Sequence, residues 1–360
     1  MIILLWIGIT QSLFAAILMF TKKENSLPDK ILSGLLTLLA IEFTTCLVDY
    51  QLFSIPLLSS SFLLLNPALY IYIRSLTQGD FSLRYIQLLH LLPFVGFEIY
   101  AYISKEPLAL DNYFVHDEQF IYRIIFGVAN LISWSIYNPL SLILVHRHRM
   151  NLRNEQSHIE KNDKLGWVLF ITIFYVVYCL LAILSASLVF FGSHPLTSHF
   201  FNYSVLLVMI LIMSAYGQRQ QKVPVNLLKK RTAVSYQNSL LSDKNKQNIA
   251  EQLIHYTEQN KLWLNPDLNM DALSTALKVP KYQLTEVLNT QLGRNFFQFI
   301  NQYRVEAVKE MLADPTINYS IEAIGYECGF ASKSAFYTVF KQMTRQTPTE
   351  YRQKTAPKSK

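Results

Sequence analysis

Cysteine is scarce in this 360-residue chain: Cys46, Cys179 and Cys328 stand far apart, two of them inside apolar runs. That excludes a disulfide framework and a CxxC metal site, and it describes buried thiols in a reducing compartment. The catalytic signatures are missing too. There is no HExxH, no GxSxG, no P-loop and no GxGxxG after a strand. His146 and His148, two apart, would point to different sides of a helix, and His194 and His199 sit in a connector without acidic partners. Nothing here describes an enzyme, and no metal or organic cofactor is implied.

Charge is thin in the front half and one-sided in the back. The formal net charge is +7, yet up to Tyr216 twelve Lys/Arg face thirteen Asp/Glu, whereas from Gly217 onward twenty face twelve. The basic surplus belongs to the tail. A chain of this length accommodates two domains.

What is abundant is long apolar sequence. A bilayer core of about 30 Å needs around 20 apolar residues in a helix. Runs of that kind lie at roughly 2–20, 31–53, 57–76, 84–103, 121–145, 166–191 and 200–216, seven in all. The first lacks a basic n-region, so it reads as a retained span rather than a cleaved signal. Lys22, Lys23 and Lys30 fall in the first connector, Arg74 and Arg84 bound the third, and Arg147, Arg149, Arg153, Lys161 and Lys164 fill the fifth. Connectors two and six have none, and the fourth has only Lys105. Odd-numbered connectors are therefore expected inside, the N-terminus outside, and the C-terminus in the cytoplasm of a multi-pass inner-membrane protein. Ionisable residues within spans are a functional hypothesis by default. Asp49, Glu98 and Arg123 fall toward the outer ends of their helices, and are expected to form an outward-opening sensor pocket in which Arg123 pairs with Glu98 or Asp49. A structural ion pair is the alternative.

After the last span, Gly217 to Ser242 is polar and basic, with no acid until Asp243, which reads as a juxtamembrane linker. A helical stretch from Lys244 to Trp263 follows, with Ile249, Leu253, Ile254 and Tyr256 on its apolar face. Then comes an approximate repeat: "MDALSTALKV" (Met270 to Val279) aligns with "IEAIGYECGF" (Ile321 to Phe330), and "LTEVL" (Leu284 to Leu288) with "FYTVF" (Phe336 to Phe340). Each copy reads as a short helix, a tight turn and a second helix. Ser274 and Gly325 are the small residues that let the second helix cross closely, Gly329 frees the second turn, and Asn269, Ser320 and Ser332 are N-caps. Leu284, Val287, Leu288 and Phe336, Val339, Phe340 form core stripes. Between the copies, Phe296, Phe299, Ile300, Tyr303, Ala307 and Met311 mark one side of an amphipathic helix some 27 Å long. Such a spacer sets two helices about one DNA turn, ~34 Å, apart.

The segment from about Leu268 to Arg352 resembles the DNA-binding domain of AraC/XylS-type bacterial transcription regulators. "LGRNFFQFINQYRVEAVKEML", "IEAIGYECGFASKSAFYTVFKQMT" and "TPTEYR" carry the resemblance. Two departures stand out: Lys278 replaces the usual glycine of the first turn, and Arg345 that of the closing GxTP pattern. The resemblance implies base-reading positions at Tyr282, Thr285, Glu286 and Asn289 in the first unit and at Lys333, Ser334, Tyr337 and Thr338 in the second, with Lys281, Arg304, Lys341 and Arg345 as phosphate contacts.

The expectation is an all-α protein: a seven-helix transmembrane sensor at 1–216, a linker and connector helix at 217–263, an AraC-type DNA-binding domain at 264–354 and a basic tail at 355–360. Its partners would be promoter DNA, the lipid bilayer, RNA polymerase, an unknown small-molecule or membrane signal, and a second copy in a homodimer. The rival reading is a transporter or channel with a cytoplasmic regulatory domain, which the Asn66-Pro67 and Asn138-Pro139 pairs in mid-span would suit.

Overall fold

The computed structural model describes residues 1–23, 25–58, 61–78, 81–159, 165–220 and 241–355. Most of the basic linker and nearly all of the C-terminal tail lie outside them. The described residues form fourteen α-helices, short 3-10 turns and no strands. They divide into two compact units, one of residues 1–147 and 165–230, the other of residues 148–164 and 231–360.

The first unit holds α1 (Ile2–Phe20), α2 (Leu27–Phe53), α3 (Ser61–Thr77), α4 (Leu92–Ser104), most of α5 (Phe120–Glu155), α6 (Gly166–Phe190) and α7 (His199–Arg219). A 3-10 turn, Tyr85–Leu91, leads into α4. Among the described residues six stretches are long and apolar enough to cross a membrane: α1, α2, Tyr85–Ser104, α5, α6 and α7. α3, at 17 residues, is shorter. These helices keep large apolar side chains on their outer faces, Ile3, Phe14, Ile17 and Phe20 on α1 and Phe170 and Leu180 on α6 among them. That pattern suits a hydrocarbon solvent.

Close packing starts at small residues. A side chain at Gly8 would collide with the Phe43 ring, so α1 and α2 approach where Gly8 leaves room. A capping box of Ser26 and Asp29 starts α2, and Lys22 bridges Asp29 at 2.9 Å and the Gln220 carbonyl at 2.6 Å, tying the ends of α1, α2 and α7. α3 and α5 continue through Pro67 and Pro139. Beside Pro67, Asn66 donates to Ser133 of α5 at 2.7 Å and accepts from the Tyr175 hydroxyl of α6. A buried amide thereby satisfies three helices at once.

The expected pairing of Arg123 with Glu98 or Asp49 is not what forms. Arg123 donates to Glu106 at 2.6 Å and to Asp117 at 2.7 Å, and also to the carbonyls of Tyr113 and Val115. Asp49 instead accepts from Tyr102 at 2.8 Å and from the Leu57 amide at 3.1 Å. The Glu98 carboxylate has no hydrogen-bond partner among the described residues. Span-by-span reasoning weighed only charges inside helices, whereas the connector between α4 and α5 folds back and brings Glu106 and Asp117 to the guanidinium. Short N–H···O⁻ contacts of this kind are the stronger choice.

The second unit contains α8 (Asp243–Gln259), α9 (Met270–Leu277), α10 (Lys281–Thr290), α11 (Phe296–Ala313), α12 (Ile321–Glu327), α13 (Lys333–Thr344) and α14 (Pro348–Thr355). It has two cores. Leu253, Leu268, Met270, Leu273, Leu284, Leu288, Phe296, Phe299 and Ile300 form the first. Val305, Val308, Leu312, Ile324, Cys328, Phe330, Phe336, Val339 and Phe340 form the second. α11 therefore serves a different core with each half, which is why its buried residues do not follow the single stripe expected of it. Tyr303, Ala307 and Met311 are only partly buried, while Val305, Val308 and Leu312 are the core residues of its second half. Leu253 draws α8 into the first core, so the helix before residue 264 is part of this unit.

Candidate nucleic-acid interface

Each half of the second unit is a helix pair around a tight turn. Asn269, Ser320 and Ser332 cap α9, α12 and α13 by accepting from the amides of Ala272, Ala323 and Ala335. Each cap contributes on the order of 1 kcal/mol. In the second pair a side chain at Gly325 would strike the Phe336 ring, so α12 and α13 cross where only glycine fits. In the first, Ser274 donates to the Val279 carbonyl at 2.7 Å and closes the turn. Gly329 has φ +85°, and a Cβ there would lie 2.1 Å from the Trp263 carbonyl oxygen, so the second turn seats backbone against backbone.

Lys278 and Arg345, which replace glycines of the resembled pattern, both adopt left-handed backbone, with φ of +55° and +64°. A non-glycine residue there costs about 1 kcal/mol or more. The turns keep the geometry glycine would give them, at the expense of stability.

α13 presents an open face. Lys333, Ser334 and Thr338 are exposed, Tyr337 is half-buried with its ring edge against Phe336, and Lys341 and Arg345 are exposed at the far end. Lys333 pairs with Glu322 and lies 5.8 Å from the centre of the Tyr337 ring. The Glu322 carboxylate raises the Lys333 pKa above its ordinary value. This helix thus offers donors, acceptors and an aromatic edge together, which is the chemistry that base edges require.

α10 is less open. Tyr282 and Asn289 are exposed, and Lys281 pairs with Asp271. Thr285 and Glu286 are buried, 3% and 2% exposed. Thr285 donates to the Lys281 carbonyl, and Glu286 lies 3.0 Å from Lys246 on α8. Glu286 is thus held against the first turn of α8. Periodicity places both on a face free of the core stripe, but carries no information on what α8 covers.

Arg304 corrects the sequence reading. Expected at phosphate, it is 1% exposed, and its guanidinium donates to the carbonyls of Trp263, Asn265 and Ser157, to the Ser157 hydroxyl and to Asn301. Burial pushes its pKa down to about 10, so it stays charged at neutral pH. It stands where α11 passes from one core to the other. Sequence shows an arginine on a polar position of an amphipathic helix; only the fold brings three carbonyls to it.

Ser157 comes from the segment 148–159, the end of α5 and the residues after it, which belongs to this unit. The Ser157 amide donates to the Leu268 carbonyl at 3.3 Å, its carbonyl accepts from Asn301 at 2.9 Å, and Gln156 forms an antiparallel bridge with Asn269. Nothing in the sequence pointed to this contact.

Comparison with known proteins agrees with this geometry. A family profile described as a helix-turn-helix domain matches residues 273–354. An uncharacterized HTH-type transcriptional regulator of Staphylococcus aureus (strain COL) is 32% identical over 122 residues, 34% of this chain and 15% of that protein. The regulatory protein PocR of Salmonella typhimurium (strain LT2) is 28% identical over 90 residues, 25% of this chain and 29% of that protein. The chain thus spans less than a third of the length of either relative. No solved structure matches. With two capped helix-turn-helix units on one connecting helix, the C-terminal part of the chain is a helix-turn-helix domain, in line with the AraC-type resemblance of its sequence.

Proposed function

We propose that this chain is a membrane-bound, sequence-specific transcription regulator that couples a signal sensed in or across the membrane to promoter binding. One observation carries the reading: an AraC-type domain shares a chain with six helices long and apolar enough to span a bilayer. The Lys and Arg of the odd connectors support an N-terminus outside and a DNA-binding domain in the cytoplasm, with the 17-residue α3 proposed as the seventh crossing. The domain boundaries are proposed to fall near residues 216 and 263; residues 221–240 of the stretch between them lie outside the described residues, and the connector helix that follows packs on the first core of the second unit.

Base reading is assigned to Tyr282, Asn289, Lys333, Ser334, Tyr337 and Thr338, with Thr285 and Glu286 joining once α8 shifts. Lys281, Lys341 and Arg345 hold phosphates. RNA polymerase and a second copy are the proposed protein partners, since one domain covers only two successive grooves. Segment 148–159 gives the signal a covalent route, because α5 is continuous through Glu155 into the Ser157 seat beside Arg304. Signal binding shifts the population between arrangements of the domain.

The test is promoter selection by the full chain in nanodiscs. Selected duplexes enriched over random DNA, lost in a Lys333→Ala, Tyr337→Ala double variant, support the reading. No enrichment, or protease access to the tail only from the outer face of intact cells, overturns it.

A further inference from the structure

Within the first unit the ends of α5, α6 and α7 and the connectors before α5 and α7 enclose a cavity of about 680 Å³. That lies inside the ~300–1,000 Å³ range of small-molecule sites. Asp49, Glu98 and Arg123, expected to form a sensor pocket, do not line it. Its walls are mainly aliphatic and aromatic, with Trp134 and Phe190 among them.

Several polar atoms in the wall are buried acceptors. Asn130 is 5% exposed; its Nδ2 donates to the Phe126 carbonyl at 2.9 Å, leaving its Oδ1 buried without a partner among the described residues. Asn202 Oδ1 and His199 Nδ1 are likewise buried without one. His199 is hydrogen-bonded to the Leu108 backbone. Glu42, accepting from the Tyr203 hydroxyl at 3.0 Å, adds a carboxylate, and Asp111 a second. No lysine or arginine is among the described lining residues. The two amide oxygens accept hydrogen bonds, and the two carboxyl groups disfavour an anionic head. A buried acceptor without a donor is costly, so an occupant that supplies donors is favoured over an empty or purely hydrocarbon-filled space.

We propose that this cavity binds an amphipathic molecule with an apolar body and an uncharged or cationic head that donates hydrogen bonds, as a hydroxyl or an ammonium does. Under the proposed orientation, the two connectors that border it face outward, so such a molecule enters from outside or from the outer leaflet. That this molecule is the signal rests on the regulator reading; binding itself does not.

The experiment uses the full chain in phosphatidylcholine nanodiscs, a lipid whose headgroup has no N–H or O–H donor. Three probes of equal chain length, 12-bromododecan-1-ol, 12-bromododecylammonium and 12-bromododecanoate, are titrated while bromine quenching of tryptophan emission is followed. The alcohol and the ammonium should quench saturably and dodecanoate at least tenfold more weakly, with the signal lost in Trp134→Phe. An Asn130→Leu, Asn202→Leu variant, which keeps Glu42 and Asp111 but loses the two amide acceptors, should bind the alcohol and the ammonium at least several-fold more weakly and so narrow the discrimination. Ala186→Phe, which fills the cavity from α6, should abolish saturable quenching at unchanged helix content. Competition by added phosphatidylethanolamine would mark a lipid as the source, and its absence a free amphiphile; both support the site. Equal or unsaturable quenching by all three probes, undiminished binding of the alcohol and the ammonium in the leucine variant, or saturable quenching that survives in the phenylalanine variant, overturns it. Promoter affinity measured in the same nanodiscs separates the two readings, since quenching without DNA selection sinks the regulator and leaves the site standing.

Discussion

At Lys278 and Arg345 the cost of a single side chain can be isolated, because both hold left-handed backbone that glycine adopts freely. Lys278→Gly should raise stability by roughly 0.5–1 kcal/mol, the relief of strain being offset in part by the greater entropy of glycine in the unfolded chain. Thermal unfolding followed by circular dichroism would show it, and an unchanged or lowered midpoint would contradict it. Arg345→Gly should stabilise likewise but weaken DNA binding about equally for all sequences, and reduce the salt slope of log K by about 1. Gly329→Ala acts the other way. Its Cβ would meet backbone at Trp263 and Leu264, which cannot swing aside as a side chain can, so several kcal/mol of destabilisation are expected in chemical denaturation.

The two recognition-type helices differ in what they leave open. α13 shows its whole outer face, whereas α10 has Thr285 and Glu286 covered. Substitutions in α13 should therefore dominate specificity. Lys333→Ala and Tyr337→Ala are each expected to cost about 1–3 kcal/mol on the preferred site and to flatten discrimination at the bases they read. Thr285→Ala, measured by the same competition binding, should change it less than about threefold, and an effect as large as that of Lys333→Ala would show that α8 leaves α10 during binding. α11 shows how far periodicity carries. The two core stripes and the three N-caps could be read from residue spacing, because neighbours along one helix determine them. The change of core partner halfway along α11 could not, because Val305 and Val308 become core only once α12 and α13 fold beneath them.

At the scale of the whole chain, segment 148–159 is far in sequence from α11 yet satisfies Arg304 and Asn301. A fragment of residues 241–355 should therefore gain stability when a peptide of residues 148–159 is added, following ordinary ligand linkage. A Ser157→Leu peptide, unable to accept from Arg304 through its side chain, should raise the unfolding temperature less. Equal shifts from both peptides would remove the hydroxyl from the account.

Apolar run length and the repeated helix-turn-helix pattern were enough to read an all-α chain with membrane-length helices and a C-terminal helix-turn-helix domain, since these properties are local or additive along the sequence; the AraC-type assignment came from the resemblance of its motifs. The partners of Arg123 and Arg304, the covering of Glu286 and the acceptor-lined cavity belong to the tertiary structure alone. A charged or polar side chain takes whichever partners the fold brings within about 3 Å, and those lie from 6 positions away, as Asp117 does from Arg123, to 147, as Ser157 does from Arg304.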